Sequence, residues 1–316
     1  MNAVPRLSVG LPVYNGEKYL AESLDALLGQ SYGDYRLIIS DNASTDGTEE
    51  ICRRYLTKDS RISYFRQPVN IGATPNHNYC FEQSDTELFK WASYDDLCGK
   101  DLLARCIEAL DDDPYLVLAH AYQAIIDGAG DIVLEVDYPL DTDNPHAPDR
   151  FRSLLFDVGG DDFYGVMRSD ILRRTPLNGS YHHSDRTIMA ELALYGRFHQ
   201  VPELLFFRRD HPDRAERAKP TIRSRSANME PRRANRLLHP TVRLIGEYVS
   251  GLVGGIRRVP LSSADRHECY GHLARWLANR AIRRSTGRIE DTVQTANPDG
   301  TRPVRASIPD RRRDEE

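Results

Sequence analysis

The sequence lacks the cysteine and glycine patterns that mark several common protein classes. Its five cysteines, Cys52, Cys80, Cys98, Cys106 and Cys269, are odd in number and include no C-x-x-C pair. This pattern disfavours a zinc site and a disulfide framework, and it predicts reduced thiols in a cytosolic protein. No G-x-G-x-x-G or G-x-x-x-x-G-K-[ST] motif is present, so a dinucleotide site or a P-loop is disfavoured as well.

Long hydrophobic runs are also absent. A membrane-spanning helix needs about 20 apolar residues, whereas the nearest candidates, Leu116–Ile126 and Val242–Ile256, are short and interrupted by polar residues. The N-terminus has no basic region followed by an apolar stretch, as a signal peptide would have. We therefore expect no membrane span and a cytoplasmic location, with peripheral contact to the inner face of the membrane as one option discussed below.

Charge is distributed unevenly along the chain. The 316 residues have a formal net charge of −5 and are 40% hydrophobic, which is too apolar for wholesale disorder. Residues 208–316 carry 24 Lys and Arg against 14 Asp and Glu, a net charge of +10, which leaves −15 for residues 1–207. An acidic front part is therefore followed by a basic one.

The front part alternates short apolar runs with helical patterns. This alternation predicts an α/β fold with a mainly parallel sheet, because uninterrupted apolar strands are typical of sheets covered on both faces. The predicted strands are Leu7–Val13, Tyr35–Ser40, Ile62–Gln67, Leu88–Ala92, Leu116–Ile126, Ile132–Val136 and Phe163–Arg168. The main helices predicted towards the C-terminus are Arg150–Val158, Thr187–Tyr195, Pro240–Arg257 and Ser263–Arg284, with an irregular segment over Arg208–Pro240.

Polar residues follow three of these strands, at Pro12–Asn15, Asp41–Gly47 and Ser93–Asp96. Ligands of open α/β sheets bind beyond the carboxyl ends of the strands. Asp95 and Asp96, directly after an apolar strand, suggest oxygen ligands for a hard divalent cation. Taken alone, the pair is also explained by a helix N-cap.

Several segments, in order, resemble the family-2 nucleotide-sugar glycosyltransferases. The most diagnostic are PVYNGEKYL and SDNASTDGT, and KWASYDDL, SDRTIMAELALYGRF and RRDHPDR extend the likeness over roughly residues 6–214. The resemblance implies a GT-A fold for a catalytic domain over residues 1–214. A basic helical extension would follow over 215–289, and residues 290–316 are expected to be disordered because they are polar.

The resemblance also implies which residues hold the donor nucleotide. Asp41 matches an aspartate that accepts a hydrogen bond from the uracil edge, an N–H that cytosine does not offer. The full set of implied nucleotide-binding residues is Pro12, Val13, Tyr14, Asn15, Asp41, Asn42, Asn70, Gly72, Asn78, Tyr94 and Asp95. Asn42 stands where many members have a second Asp, and His77 where Arg is frequent.

A divalent cation, Mg²⁺ or Mn²⁺, is the implied cofactor. Asp95 matches the aspartate that touches the metal, although Ser93 replaces the first acid of the usual D-x-D-D pattern. His211 lies in a stretch similar to the late R-x-H of the family, where a neutral imidazole would complete the coordination shell. An exposed loop histidine before Pro212 explains His211 equally well.

Asp185 is the implied catalytic base. It stands at the place of the family's [ED]-D pair, with Ser184 replacing the first acid, and the alternative is an N-cap of the helix Thr187–Tyr195. Trp91, Tyr94 and Tyr164 suit stacking on a sugar, but aromatic residues in such contexts are more often core. His182 and His183 lie beside Asp185 and are interpreted as surface loop residues or as part of the acceptor site.

The basic C-terminal helices have apolar stripes flanked by arginines, which admits two interpretations. One is a helical hairpin on an anionic membrane; the other, which we favour, is an extension packed on the catalytic domain or on a second subunit of a homo-oligomer. No aromatic-interleaved basic motif supports nucleic-acid binding.

The resemblance as a whole implies an inverting glycosyltransferase. It would move a sugar from a nucleotide donor, most simply a UDP-sugar, to a hydroxyl acceptor such as an envelope glycan, a glycolipid or a metabolite. Two alternatives remain open. One is a catalytically silent sugar-nucleotide binder, because Ser93 and Ser184 replace two expected acids; the other is a sugar-phosphate nucleotidyltransferase, whose Gly-rich signature is absent.

Overall fold

The computed structural model describes residues 4–136, 138, 140–157, 162–214, 218 and 221–285, with no side-chain description for 281–285. The segment predicted to be disordered, 290–316, lies outside the described residues. The strands are β1 (Leu7–Val13), β2 (Tyr35–Asp41), β3 (Ile62–Arg66), β4 (Leu88–Trp91), β5 (Leu97–Cys98), β6 (Leu116–Ile126), β7 (Ile132–Val136), β8 (Val166–Arg168) and β9 (Arg197–Arg209). The helices are α1 (Leu20–Leu28), α2 (Thr48–Leu56), α3 (Ala73–Glu82), α4 (Leu102–Asp112), α5 (Ala147–Phe156), α6 (Ser169–Leu172), α7 (Ser184–Tyr195), α8 (Ile222–Met229), α9 (Thr241–Arg258) and α10 (Ser263–Ser285).

The first half of the sheet is parallel, in the order β3-β2-β1-β4. Every residue of β1 and β4 is buried, because helices cover both faces of this part of the sheet. Val13 is in register with Asp41, and the backbone N–H of Ala92 donates to the carbonyl of Gly10. The carboxyl ends of β1, β2 and β4 therefore lie along one edge, and the predicted α/β class is confirmed.

The second half continues as β8-β6-β9-β5 and is mixed. β8 runs antiparallel to β4 and β6, whereas β9 runs parallel to β6. The predicted strand Phe163–Arg168 is wrong in its first part: Asp162–Tyr164 form a 3₁₀ turn before β8. The long strand β9 was not predicted, because only its middle is strongly apolar.

Helices α9 and α10 pack on α5 and α7. Leu252, Ile256 and Trp276 join Phe151 and Ala190 in one buried cluster. An ion pair between Arg258 Nη2 and Glu191 Oε2, at 2.6 Å, ties α9 to α7. The apolar stripes of the basic region therefore serve mainly as core, as the favoured interpretation predicts. Within the described residues, no helix combines the length and apolarity that a bilayer crossing requires.

Candidate active site

A cavity of about 290 Å³ lies beyond the carboxyl end of β4. Its wall combines the segment after β4, the 3₁₀ turn, the first turn of α7, and α8. The charged side chains along this wall are those of Asp95, Asp162, Asp185, Arg186, Arg214 and Arg225. The cavity therefore offers carboxylates that can hold a cation or accept a proton, and guanidinium groups that suit an anionic ligand.

Asp95 and His211 meet in this region although they are 116 positions apart in the chain. Asp95 Oδ2 and His211 Nε2 are 3.0 Å apart, and both residues are buried, with exposures of 6% and 4%. The hydroxyl of Ser93 donates to the other Asp95 oxygen. The structure thus brings together the two residues predicted to bind metal, although metal binding itself stays a prediction.

The donor set of this pair fits a divalent cation. A carboxylate oxygen is a ligand that magnesium-type ions and Mn²⁺ prefer, and an imidazole nitrogen is a common metal ligand. Asp95 Oδ2 and His211 Nε2 offer one of each, 3.0 Å apart. Ions of the magnesium class take one or two protein ligands and complete their shell with water and phosphate oxygens. Asp95 and His211 are therefore the residues that could hold the cation.

Electrostatics keep Asp95 ionised. Burial raises the pKa of this carboxyl, but the hydrogen bond with His211, the charge of Arg214 and the hydrogen bond from Ser93 together outweigh burial and lower the pKa below its ordinary value. A carboxylate with these neighbours carries its negative charge at neutral pH and can attract a cation.

Arg209 fixes the loop that carries Asp95. Its side chain is fully buried; Nε donates to the Asp95 carbonyl at 2.9 Å, and Nη2 lies 2.7 Å from Glu22 Oε2. The Arg209 backbone N–H donates to Asp96 Oδ1. Asp96 thus holds the loop against β9 through its bond from the Arg209 N–H. Arg209 is a positioning residue that was not predicted, although the RRDHPDR stretch contains it.

The predicted uracil ligand, Asp41, is fully buried at the end of β2. Its two carboxylate oxygens accept hydrogen bonds from the Ser44 N–H at 2.8 Å and the Tyr64 hydroxyl at 2.7 Å. Each oxygen keeps one further lone pair, so these bonds orient the carboxylate without saturating it. Its contact with a base stays a prediction.

The other predicted nucleotide residues lie at the ends of β1 and β2, in the segments that follow these strands, and just before or within α3. Asn15 has a left-handed backbone, with φ at 52°, and its side-chain oxygen accepts a hydrogen bond from the N–H of Thr45. Asn42 donates to Asn70 at 3.1 Å. From the predicted set, Tyr94 and Asp95 line the cavity. The residues of the set that do not line it are Pro12, Val13, Tyr14, Asn15, Asp41, Asn42, Asn70, Gly72 and Asn78.

Asn78 connects α3 to the segment before α7. Its Nδ2 donates to the Asn178 carbonyl at 2.9 Å, and its Oδ1 accepts from the Asn178 N–H at 3.1 Å. Asn178 itself lines the cavity. The structure thus gives Asn78 a structural contact, and its predicted nucleotide contact stays a prediction.

Asp185 lies on the cavity wall in the first turn of α7. The helix begins at Ser184, three residues earlier than predicted, and its N-cap is His183, so the N-cap explanation of Asp185 is wrong. The Asp185 side chain is exposed. Among the residues that the structure describes, none donates a hydrogen bond to its carboxylate, which is therefore available to a ligand in the cavity.

The backbone before Asp185 is strained. His183 has φ at 64°, a left-handed conformation that is uncommon for a residue with a side chain. Its ring stacks on His182 with centroids 3.6 Å apart. Burial and the neighbouring charge of His183 lower the pKa of His182 to about 3, so His182 is neutral. Both histidines line the cavity, which favours the acceptor-site interpretation over the surface-loop one.

The aromatic residues divide between core and cavity. Trp91 is fully buried and stacks on Phe163 with centroids 4.6 Å apart, so its proposed sugar contact is wrong. Tyr94 and Tyr164 line the cavity and stay candidates for stacking on a sugar.

Helix α8 closes one side of the cavity through Arg225, Asn228 and Met229. The sequence pattern predicts an irregular segment here, because its residues have no clear apolar period. A capping box opens the helix: the Thr221 hydroxyl accepts from the Ser224 N–H, and the Ser224 hydroxyl accepts from the Thr221 N–H, both at 3.0 Å. Ser stands where a capping box usually has Glu or Gln, so the sequence signal is weak.

Gly72 is required where α8 approaches α3. Its φ of 96° favours glycine, and an added Cβ would lie 2.4 Å from the Met229 carbonyl oxygen. We expect Gly72→Ala to displace α8 and therefore to lower the free energy of unfolding by about 1–3 kcal/mol. Urea denaturation measures this loss of stability. Gly130→Ala is the matched control, because Gly130 has the same φ, and an added Cβ there would meet only Arg209 Nη1, at an ordinary contact distance of 3.9 Å. Equal losses in the two variants would contradict the proposed α8 contact.

The comparisons with known proteins agree with this geometry. The family described as glycosyl transferase family 2 matches residues 8–175. The chain is 32% identical over 127 residues to an uncharacterized glycosyltransferase of Haemophilus influenzae, covering 40% of this chain and 50% of that protein. It is 24% identical over 192 residues to the GalNAc(5)-diNAcBac-PP-undecaprenol beta-1,3-glucosyltransferase of Campylobacter jejuni, covering 60% of each. The chain thus spans about half the length of these curated relatives.

Solved structures show the same fold. S. aureus TarS 1–349 in complex with UDP superimposes with a TM-score of 0.54 at 17% identity, covering 90% of this chain and 92% of that one. The mannosyltransferase PcManGT from Pyrobaculum calidifontis, in complex with GDP-Man and Mn²⁺, gives a TM-score of 0.52 at 16% identity, with coverages of 91% and 89%. The predicted GT-A fold is confirmed, and because the family match covers more than half of its residues, the chain belongs to glycosyl transferase family 2.

Proposed function

We propose that the chain is an inverting glycosyltransferase that uses a UDP-sugar donor. One observation carries the proposal: the Asp95 carboxylate, which pairs with the buried His211, and the accessible Asp185 carboxylate line the same cavity. A divalent cation, when bound, would supply positive charge to the donor diphosphate. Arg214, on the same wall, adds a fixed positive charge for those phosphate oxygens.

The chemical role of Asp185 follows from its free carboxylate. In the proposed transfer, the acceptor oxygen forms a bond to the anomeric carbon while that carbon's bond to the diphosphate oxygen breaks. The acceptor hydroxyl loses its proton to Asp185, a general-base contribution typically worth about 10²–10⁴-fold in rate. Attack from the face opposite the leaving group inverts the anomeric centre.

The choice of UDP rests on the resemblance around Asp41 and on one structural neighbour, S. aureus TarS, which was solved with UDP. The acceptor proposal rests on the Campylobacter relative, whose name specifies an undecaprenol-linked glycan. We propose a glycolipid acceptor of that chemical kind, with a hydroxyl group of its glycan as the nucleophile.

Calorimetry with UDP, GDP and CDP, each with and without Mn²⁺, tests the donor proposal. We expect UDP to bind best, with an affinity increased about tenfold or more by Mn²⁺, because a cation held by Asp95 would supply positive charge to the diphosphate. Absence of binding by every nucleotide in the presence of Mn²⁺ would sink the proposal. Tighter binding of GDP than of UDP would contradict only the proposal that the donor base is uracil.

A further inference from the structure

We propose that residues 231–243, which we call the arginine–leucine tip, dock on the surface of an anionic lipid bilayer. The tip comprises a 3₁₀ turn over Pro231–Ala234, the following turn and the first residues of α9. This inference concerns a surface outside the cavity and does not depend on the identity of the donor.

The tip exposes large apolar side chains. Leu237 is 92% exposed, Leu238 62% and Val242 76%. Helix α9 then buries Leu244 and Leu252 at 2% exposure each, and these two side chains are part of the core. Leu237 and Leu238, just before α9, and Val242 in its first turn are instead exposed. Three exposed apolar side chains within six residues match the insertion of a shallow wedge between lipid headgroups.

Positive charge surrounds these side chains. Residues 231–243 contain four arginines and no acidic residue. Arg232 is 89% exposed and Arg243 53%, and Arg236 is exposed as well. The nearest acids flank the tip: Glu230 pairs with Arg232 and Arg233, and Glu247 pairs with Arg233 and Arg243. Four arginines against these two glutamates leave the tip and its flanks with a net positive charge. Long arginine side chains beside leucines can reach phosphate headgroups while the leucines enter the apolar layer.

This charge pattern favours a bilayer over a second copy of the chain. A two-fold contact through the tip would place the arginines of both copies against one another, and like charges facing each other oppose association. An anionic bilayer offers phosphate groups for the arginines and hydrocarbon for the leucines. We therefore commit to a lipid surface as the occupant.

The tip is connected to the cavity through α8. Met229 lines the cavity, and Pro231 follows two residues later, a distance of at most about 7 Å along an extended chain. Arg223, in α8, donates to the His239 carbonyl at 3.1 Å and to the Thr241 hydroxyl at 3.4 Å. Docking of the tip would thus hold α8 and the cavity close to the bilayer, where a lipid-borne substrate is concentrated.

Vesicle flotation of the full chain tests the proposal. We expect binding to vesicles of equal parts phosphatidylglycerol and phosphatidylcholine, and little binding to phosphatidylcholine alone. The double variant L237S/L238S should lose about tenfold or more of its affinity for these vesicles. Arg236→Glu, which reverses one charge, should reduce binding about tenfold and remove part of its salt dependence.

Matched controls carry the same kind of change elsewhere. Val133→Ser replaces an apolar residue of β7 that is 47% exposed, and Lys58→Glu reverses an exposed charge after α2; both should bind vesicles as the unaltered chain does. Unchanged urea denaturation would show that the tip variants are folded. The proposal is overturned if the chain ignores anionic vesicles, or if L237S/L238S binds them normally. Loss of a dimer in L237S/L238S, with vesicle binding intact, would instead identify an interface between copies.

Discussion

Asp185→Asn is expected to reduce sugar transfer by about 10²–10⁴-fold while leaving donor affinity nearly unchanged. Asparagine keeps the size and polarity of the side chain but cannot accept the acceptor proton at neutral pH. Because the carboxylate is exposed and forms no hydrogen bond with any described residue, its replacement should cost little stability. The measurement is product formation from a UDP-sugar at saturating donor, together with calorimetry of UDP binding.

A matched control for this variant is Asp170→Asn. Asp170 is an exposed acid in the first turn of α6, so the chemical change and the helix position are the same, but its partner is Arg174 and it does not line the cavity. Unchanged activity in Asp170→Asn is expected. Equal turnover by Asp185→Asn and the unaltered chain would remove Asp185 from the mechanism, whereas inactivity of both the variant and the unaltered chain would favour a silent sugar-nucleotide binder.

Asp95→Asn is expected to remove the dependence of UDP binding on Mn²⁺. The neutral amide takes away the negative charge that His211 and Arg214 help to maintain, and loss of a charged ligand should lower cation-dependent affinity by about a hundredfold. UDP binding measured without metal should change much less, because it depends on contacts with uracil and on the positive charge of Arg214. Calorimetry with and without Mn²⁺ separates these two parts.

Two further variants locate the effect. His211→Gln should weaken the Mn²⁺ dependence in the same direction, since it removes the second donor of the pair. Asp170→Asn again serves as the control and should keep the full Mn²⁺ effect. If Asp95→Asn bound UDP with an undiminished response to Mn²⁺, the cation site would have to lie elsewhere.

The sequence predicted those parts of the fold that depend on local apolar patterns. Runs such as Leu7–Val13 and Tyr35–Ser40 are buried on both faces. Each therefore appears in the sequence as an apolar run and could be identified without knowing which strands pair with it. Strand β9 escaped prediction because polar residues occupy both of its ends and buried positions follow no regular period over its 13 residues. Its position beside β6 depends on long-range pairing, which local patterns do not encode.

In the candidate site, too, some features could be predicted from local motifs and others depend on long-range contacts. Asp95 and His211 were each predicted to bind metal because their motifs resemble those of the family, and β9 ends two residues before His211, which contacts Asp95. Arg209 was missed because its importance comes from burial, which is unusual for arginine and is not visible in a charged stretch. Helix α8 was missed because it is polar and has no apolar face of its own; it is held by contacts with α3 and α9.

The central claim is that this cavity transfers a sugar from a nucleotide donor, and a donor screen tests it most directly. Purified chain is incubated with Mn²⁺, an undecaprenol-linked glycan and a panel of UDP-, GDP- and CDP-sugars, and release of nucleoside diphosphate is measured together with the anomeric configuration of the product. The account predicts UDP release from at least one UDP-sugar, an inverted anomeric centre, and loss of both in Asp185→Asn. A product with retained configuration, or release that is unaffected by Asp185→Asn, would contradict it.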